Sequence, residues 1–370
     1  MTSSLCRLRD LGQSVWLDDI DRPMLLDGSL ATLIEDDCIG GQTSNPVIFE
    51  RALKTSDAYD GDIATMAAGG AGLETIYERL IEDDIRRAAD LFAPLHQASA
   101  RRDGYVSLEV SPHLARDTEG TIAEAVRLWT AVDRANVMIK VPGTREGLDA
   151  IRALIARGIN INVTLLFDPI RYREVTEAFV AGLEDRISGG AATGPHPHSV
   201  ASFFLSRIDS MVDPALDARA DDDAKALRGE TAIALARIAY RHFAEMIETP
   251  RWKALAEQGA APQRLLWAST GTKDKAYSDV KYVEPLVAAD TVNTMPRETL
   301  AAFREHGTAE LTLTGVSAGP DLAEVAAKLA ASGVDLPGVL ARLEEEGIEK
   351  FNTAFDNLHK SLAAKVAAVA

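Results

Sequence analysis

Cysteine is scarce in this chain of 370 residues, which contains only Cys6 and Cys38. Two cysteines are too few to hold a fold together by a disulfide framework, and their scarcity favours a reducing compartment. Neither cysteine has a neighbouring histidine in the sequence, so we expect no nucleophilic role for either of them.

Long apolar runs are missing as well. No uninterrupted stretch approaches the roughly 20 apolar residues that a membrane-spanning helix requires, so we expect no membrane partner. The N-terminus carries Arg7, Arg9 and Asp10 and lacks the apolar core of a secretory signal. A cytoplasmic location is therefore expected.

Positive charge is the third deficit. The chain has 39 lysines and arginines against 56 aspartates and glutamates, which gives a formal net charge of −17. Such an acidic protein is a poor candidate for nucleic-acid binding, which depends on clustered cations that displace counterions. An anionic substrate must then be held by a few local cations or by backbone dipoles.

What the sequence does contain is an alternation of short apolar runs with amphipathic helical stretches. The predicted strands are residues 14–20, 41–45, 106–111, 136–141, 159–166, 199–206, 264–270 and 290–294. Eight strands separated by helices predict an α/β protein with a (β/α)8 TIM-barrel fold. A doubly wound sheet is the main alternative. The glycine-containing stretches at 189–194 and 271–273 lack the pattern that its nucleotide-binding forms require.

Only helical patterns follow the eighth predicted strand. We therefore expect a single barrel domain over residues 1–370, with its strands within 14–295 and a C-terminal helical extension over 297–370. The sequence does not distinguish a monomer from a homodimer, and we expect one of these two states.

Strand parity places polar side chains inside the predicted barrel. In the fourth strand, Val137, Ile139 and Val141 share the face that packs on the helices, so Lys140 points to the barrel axis. The same alternation turns Glu109 of the third strand inward. The other inward or strand-ending polar residues are Asn162 and Thr164 of the fifth strand, Ser202 of the sixth, Ser269 of the seventh, Asp18 of the first and Asn45 of the second. They lie toward the C-terminal ends of the strands, where barrel enzymes have their active sites.

A lysine beside carboxylates in the mouth of a barrel points to amine chemistry. Burial disfavours the ammonium form, and the free amine can attack a carbonyl to form a Schiff base. Glu109 and Asp18 are placed to shuttle the protons of that reaction. A purely structural ion pair between Lys140 and Glu109 is the alternative, but it does not explain why so many polar groups gather at one end. The residues therefore predict an aldolase-type lyase or transferase.

The same strands carry sequence blocks that resemble those of the transaldolase family. The blocks are TSNP at 43–46, VSLEVS at 106–111, IKVPGT at 139–144, INVTLLF at 161–167 and VASFFLSRID at 200–209, extended by STGTK at 269–273 and TVNTMP at 291–296. Blocks in this order, each on a predicted strand, make a specific signal. The length and the helical tail are similar to those of bacterial single-function transaldolases.

The resemblance implies a reaction and the residues that perform it. Lys140 would attack the C2 ketone of sedoheptulose 7-phosphate or fructose 6-phosphate, and a dihydroxyacetone unit would pass to glyceraldehyde 3-phosphate or erythrose 4-phosphate in the non-oxidative pentose phosphate pathway. Glu109 would act as acid and base through a water that Asn45 and Thr164 position. Asp18 would take the proton of the C4 hydroxyl. No cofactor and no metal are implied.

Further residues are implied for substrate binding. Asn162 and Ser202 would steady the enamine, and Arg207 after the sixth strand would hold the phosphate of the sugar phosphate. In the better-known branch of the family a second arginine follows the seventh strand, whereas this chain has STGTK there. Lys273, together with Ser269, is expected to take its place. Phe204 is expected to line the pocket, although core packing explains it equally well.

Two other functions stay open at this point. A Schiff-base aldolase of the fructose 6-phosphate type would release free dihydroxyacetone instead of transferring it, and beyond the resemblance the sequence does not separate the two. A catalytically inactive barrel that serves as a binding protein is the alternative from another class. The intact set of Lys140, Glu109 and Asp18 argues against an inactive barrel.

Overall fold

The computed structural model describes residues 3–190, 194–219, 222–313 and 319–369 and contains a closed barrel of parallel strands. The strands are β1 (Gln13–Leu17), β2 (Ile39–Gln42), β3 (Tyr105–Glu109), β4 (Val137–Pro142), β5 (Ile161–Leu166), β6 (Ser199–Phe204), β7 (Arg264–Ala268) and β8 (Thr291–Met295). They follow one another in chain order, and β1 pairs with β8 to close the sheet. The predicted (β/α)8 barrel is confirmed, and the doubly wound sheet is wrong.

Helices separate and surround the strands. The described helices are α1 (Ser4–Asp10), α2 (Arg22–Leu26), α3 (Ser29–Asp36), α4 (Pro46–Thr55), α5 (Asp60–Ala68), α6 (Leu73–Ala98), α7 (Thr118–Val132), α8 (Arg145–Ala156), α9 (Pro169–Ser188), α10 (Ser206–Asp217), α11 (Asp222–Leu227), α12 (Thr231–Ile247), α13 (Pro250–Ala256), α14 (Arg297–His306), α15 (Leu322–Ala331) and α16 (Leu336–Val369). Short 3₁₀ turns lie at Pro112–Leu114 and Glu284–Leu286. Of the helices in these ranges, none is long and apolar enough to span a membrane.

Several predicted strands run past the observed C-terminal ends. Asp18 follows β1 instead of ending it, and Asn45 lies beyond β2, where it is the N-cap of α4. The backbone stays extended at Asn45, and the amide of Asp18 still donates to the carbonyl of Met295 at 2.8 Å, although the chain bends at Asp18. The alternation of apolar and polar residues therefore continues for a few positions after the strand hydrogen bonds end. Strands predicted from this alternation are longer than the observed ones for that reason.

Side-chain caps start the helices that follow three of the strands. Asn45 accepts from two backbone amides of α4, Thr144 from an amide of α8 and Asp168 from an amide of α9. Pro46 and Pro169 occupy the first helical position of α4 and α9, where a missing amide hydrogen costs nothing. Each of these caps lies just past the C-terminal end of its strand, so the connections that frame the barrel mouth are short and well defined.

The N-terminal end of the barrel is closed by a buried polar cluster. The guanidinium of Arg264 donates to Ser14 Oγ at 2.7 Å and to Asp103 Oδ1 at 3.1 Å, and Ser14 Oγ donates to Asp103 Oδ2 at 2.8 Å. The ion pair is satisfied by these hydrogen bonds, as a buried charge requires. These side chains bind one another, whereas the predicted site residues lie at the opposite, C-terminal end.

The helix α16 lies over that C-terminal end. It packs against α4, α5, α6 and α10 and reaches the end of β5. The side chain of Lys365 is paired with Asp60 at 2.5 Å, and His359 Nε2 lies 3.1 Å from Glu74 Oε2. These contacts hold the C-terminal helix across the mouth.

Cys6 and Cys38 form a disulfide, which the scarcity of cysteine in the sequence does not predict. Cys6 lies on α1 and Cys38 immediately precedes β2, so both lie at the N-terminal end of the barrel. Their Cα atoms are 5.1 Å apart although 32 positions separate them in sequence. Arg9 also donates to Cys38 Sγ at 3.0 Å, a basic neighbour that the sequence pattern does not show.

Reduction of this disulfide is expected to lower stability and to leave turnover unchanged. In the chain-entropy account, breaking a cross-link that closes a loop of this length lowers the free energy of unfolding by about 3 to 4 kcal/mol. Turnover should not change, because the bond lies at the end of the barrel opposite the mouth. Urea unfolding with and without dithiothreitol measures the loss, and a Cys6→Ser/Cys38→Ser variant controls for other effects of the reductant. Equal unfolding midpoints, or a variant with impaired turnover, would contradict this expectation.

Candidate active site

Lys140 lies in the barrel mouth beside a carboxylate on the neighbouring strand. The strand register pairs it with Glu109 of β3 on one side and with Asn162 of β5 on the other. Its Nζ donates to the carbonyl oxygen of Ser44 at 3.1 Å and to Oε2 of Glu109 at 3.4 Å. The Lys140 and Glu109 side chains are only 5% and 4% exposed. A buried amine beside a carboxylate is equipped to add to a carbonyl group.

Two buried polar atoms of the predicted site have no hydrogen-bond partner among the described residues. They are Oε1 of Glu109 and Oγ1 of Thr164, whose side chain is fully buried. Buried polar atoms are almost always hydrogen-bonded, so these two are available to water or to substrate. Burial raises the pKa of Glu109 against the opposing effect of Lys140, which favours the protonated form relative to an exposed glutamate.

Asp18 approaches the same mouth from the end of β1. Its Oδ1 accepts a hydrogen bond of 2.7 Å from Thr43 Oγ1, and that hydroxyl is also 2.7 Å from Thr294 Oγ1. Burial raises the pKa of Asp18, and the positive charge of Lys140 opposes the rise. The pKa values of the two carboxylates near Lys140 are therefore both raised, which makes each a stronger base when ionised and a proton donor when protonated.

The adjacent Asp19 faces a different environment. It is buried and forms ion pairs with Arg51 and with Arg297. One aspartate of the pair therefore reaches the mouth, and the other ties α4 to α14.

Asn162 is held in a fixed orientation by its neighbours. Its Nδ2 donates to Ser107 Oγ at 2.9 Å, and its Oδ1 accepts from Ser202 Oγ at 2.7 Å. A carboxamide nitrogen carries two hydrogens, so one donor remains for a bound group. Asn45 is more constrained, because its Oδ1 caps α4 and only its Nδ2 is left to contact a ligand.

The predicted phosphate residues lie at the other side of the mouth. Arg207 is the second residue of α10, and its guanidinium lies 5.2 Å from the centre of the Phe204 ring, within range of a cation–π contact. Arg207 and Lys273 line a cavity of about 530 Å³. Ser269 follows β7 with a φ of 54°, and its Oγ is paired with Ser206 Oγ at 2.9 Å. The left-handed backbone at Ser269 turns the chain toward the segment that carries Lys273.

Several residues that contact the site in the barrel mouth are not among the site residues predicted from the sequence. The Ser44 carbonyl and the Thr43 hydroxyl belong to a block that the resemblance singles out, but their roles depend on the backbone path after β2. Phe351 and Lys350 come from α16, and the Phe351 ring centre lies 5.6 Å from the Arg207 guanidinium. The sequence has no local signal for them, because the helical pattern of the tail does not reveal where the tail docks.

Comparison with known proteins agrees with this geometry. The chain matches the family model described as transaldolase/fructose-6-phosphate aldolase over residues 15–362. A protein named transaldolase from Thermobifida fusca is 48% identical over 369 residues, which cover 100% of both chains. Transaldolase from Thiobacillus denitrificans is 48% identical over 350 residues, 94% of this chain and 96% of the relative. Transaldolase 2 from Streptomyces coelicolor is 44% identical over 369 residues, 99% of this chain and 98% of the relative. The chain therefore belongs to the transaldolase/fructose-6-phosphate aldolase family.

Proposed function

We propose that this protein is a transaldolase, which transfers a dihydroxyacetone unit from fructose 6-phosphate or sedoheptulose 7-phosphate to an aldose phosphate. The observation that carries the proposal is the buried amine of Lys140, which donates to Glu109 in the mouth of a closed barrel. Relatives that match the chain over almost its full length and are named transaldolase support this choice of reaction.

The reaction begins with imine formation at Lys140. Nζ adds to the C2 carbonyl of the donor sugar and gives a carbinolamine. Glu109, which acts through a water positioned by Thr164 and by the Asn45 amide, donates a proton to the departing hydroxyl, so that water leaves and a protonated imine remains. The raised pKa of Glu109 supports this role, because a general acid must hold its proton near the working pH.

Carbon–carbon cleavage follows at Asp18. The carboxylate removes the proton of the C4 hydroxyl, the C3–C4 bond breaks, and its electron pair moves into the protonated imine to give an enamine. The aldose phosphate leaves with its new aldehyde. Asn162, which Ser107 and Ser202 hold in place, donates to the hydroxyl groups of the enamine.

Transfer reverses these steps on a second aldehyde. The enamine carbon attacks the carbonyl of glyceraldehyde 3-phosphate or erythrose 4-phosphate, Asp18 returns its proton to the new alkoxide, and water hydrolyses the imine with Glu109 as the base. Arg207 and Lys273 hold the phosphate of donor and acceptor in turn. Ser269 contributes through the turn that it makes after β7.

We also propose a setting for this activity. The chain functions as one barrel domain, with α16 as part of its mouth, in the cytoplasm and in the non-oxidative pentose phosphate pathway. The packing of α16 on four helices of the barrel layer supports the single domain. Its partners are sugar phosphates, and it works as a monomer or a homodimer.

Borohydride trapping tests the proposed function. The protein is incubated with fructose 6-phosphate without an acceptor, reduced with borohydride and weighed by mass spectrometry. We expect a mass increase that corresponds to a reduced dihydroxyacetone unit and that maps to Lys140 after proteolysis. A folded protein that forms no adduct, or an adduct at another lysine, would refute the mechanism and favour an inactive barrel.

The family description includes fructose-6-phosphate aldolase, so aldolase activity is the second candidate. The two activities differ only in whether an aldehyde or water intercepts the enamine. A transaldolase consumes fructose 6-phosphate rapidly only when erythrose 4-phosphate is present. Rapid release of free dihydroxyacetone without an acceptor would assign the protein to the aldolases.

A further inference from the structure

The C-terminal helix reaches the phosphate end of the barrel mouth. Gly347 of α16 packs so closely on the barrel that a Cβ at this position would lie 3.1 Å from Leu165 Cδ2. One turn later, Phe351 lies against the guanidinium of Arg207. Lys350 precedes Phe351 and lines the same cavity as Arg207. The docking of α16 therefore brings a further cation to this cavity.

Four cations line the cavity, and three of them come from distant parts of the chain and are not paired with Glu346. Arg207 comes from α10, Lys273 from the segment after β7 and Lys350 from α16. Within the ranges that the structure describes, none of the three forms an ion pair with a carboxylate. The acidic residue that lines the cavity, Glu346, is engaged by Arg342 at 2.6 Å. The cavity therefore presents a local excess of positive charge in a protein whose net charge is −17, although Asp18 and Glu109 also act on Arg207 from the barrel mouth.

Mutual repulsion among these cations is visible at Lys350. The charge of Arg207 lowers the pKa of Lys350, and burial and the charge of Lys273 add to the effect. An anion placed among the three groups removes this repulsion and gains attraction from each of them. A phosphate monoester carries between one and two negative charges near neutral pH and has oxygens for several donors.

We propose that Lys350 binds the phosphate of the sugar substrate together with Arg207 and Lys273, and that it thereby selects phosphorylated over phosphate-free sugars. This inference rests on the proposed function, since it assigns a further residue to the substrate of the same site. A lysine is suited to the position because its flexible stem lets the ammonium follow the phosphate from the exposed side of the cavity. Arg207 is fixed between the rings of Phe204 and Phe351 and supplies the oriented contact.

The experiment compares three variants with the native enzyme. Lys350→Met removes the charge, Lys350→Arg retains it, and Lys360→Met removes a charge from an exposed position on the same helix. Steady-state kinetics give KM and kcat for fructose 6-phosphate, and inorganic phosphate serves as a competitive probe of the site. Borohydride trapping at Lys140 is then performed with fructose 6-phosphate and, in parallel, with dihydroxyacetone, which has no phosphate.

We expect Lys350→Met to raise the KM for fructose 6-phosphate and the inhibition constant of phosphate roughly 5- to 20-fold, the effect of one lost charge-assisted contact. The kcat and the trapping of dihydroxyacetone should stay near the native values. Lys350→Arg should restore most of the binding, and Lys360→Met should behave like the native enzyme.

Other outcomes overturn the inference. Native constants in Lys350→Met would show that the residue does not contact phosphate. If Lys360→Met weakens the binding of fructose 6-phosphate and phosphate as much as Lys350→Met does, the cause is a general charge effect. If Lys350→Arg binds them as poorly as Lys350→Met, the cause is the packing of α16 and not the charge. If the native enzyme forms no adduct with either fructose 6-phosphate or dihydroxyacetone, the proposed function itself is refuted. If every variant forms adducts and binds phosphate like the native enzyme, only the inference about Lys350 is refuted.

Discussion

Replacing Lys140 with methionine is expected to lower turnover by roughly 10⁴-fold or more, the scale on which removal of a covalent nucleophile acts. The variant should still fold. Methionine retains most of the apolar volume of the side chain, and Glu109 can accept a proton when the neighbouring positive charge is lost. Because burial already raises the pKa of Glu109, this protonation avoids an unpaired buried charge.

Two measurements report the effect of this substitution: the rate of transfer from fructose 6-phosphate to erythrose 4-phosphate, and borohydride trapping. Lys328→Met, which changes an exposed lysine of α15, is the matched control and should retain native turnover. Circular dichroism and thermal unfolding establish that both variants are folded. A folded Lys140→Met enzyme with turnover within tenfold of the native value would exclude a covalent mechanism through this residue.

Asp18→Asn is expected to separate imine formation from carbon–carbon cleavage. The asparagine Oδ1 can still accept from Thr43, so the local structure is retained, but the side chain cannot take the C4 hydroxyl proton. Turnover should fall by roughly 10²- to 10⁴-fold, the usual contribution of a general base. Borohydride should then trap the intact sugar phosphate on Lys140 in place of the dihydroxyacetone unit. Trapping of the cleaved unit at the native rate would assign the proton transfer to another group.

The same substitution is expected to increase stability at neutral pH. Burial raises the folded-state pKa of Asp18 above its ordinary value of 3.8, so its ionised form destabilises the native state at pH values above the folded pKa. Below the unfolded pKa both states are protonated and the penalty is absent. The stability advantage of the Asp18→Asn variant over the native protein should therefore be present at pH 7 and disappear as the pH falls below about 4.

Asp19→Asn provides the matched control for this stability effect. Asp19 is paired with Arg51 and Arg297, so its neutralisation removes the carboxylate between them, leaves Arg297 with Asp21 alone and should destabilise the protein at pH 7. Urea unfolding at pH 7 and near pH 4 distinguishes the two variants. A destabilised Asp18→Asn at pH 7 would show that attraction to Lys140 outweighs the cost of burial.

Much of the barrel was predictable because its signals are local. A strand with one face on the helices must alternate apolar and polar residues, and this alternation places Lys140, Glu109 and Asn162 on the axis side without any knowledge of the partners. The strand ends were less predictable, as Asn45 shows. Its extended backbone looks like a strand residue in sequence, but its side chain caps α4 and the strand ladder has already ended.

The sequence by itself determined the order of the strands and the direction of the inward side chains, because both follow from periodicities of two and of three to four residues. Only the tertiary structure decided that Thr43 donates to Asp18, that Cys6 pairs with Cys38, and that Lys350 lines the same cavity as Arg207. Those contacts join segments that are far apart along the chain or depend on the exact path of a loop. Their formation is set by how helices dock on the barrel, and no local pattern of residues encodes that docking.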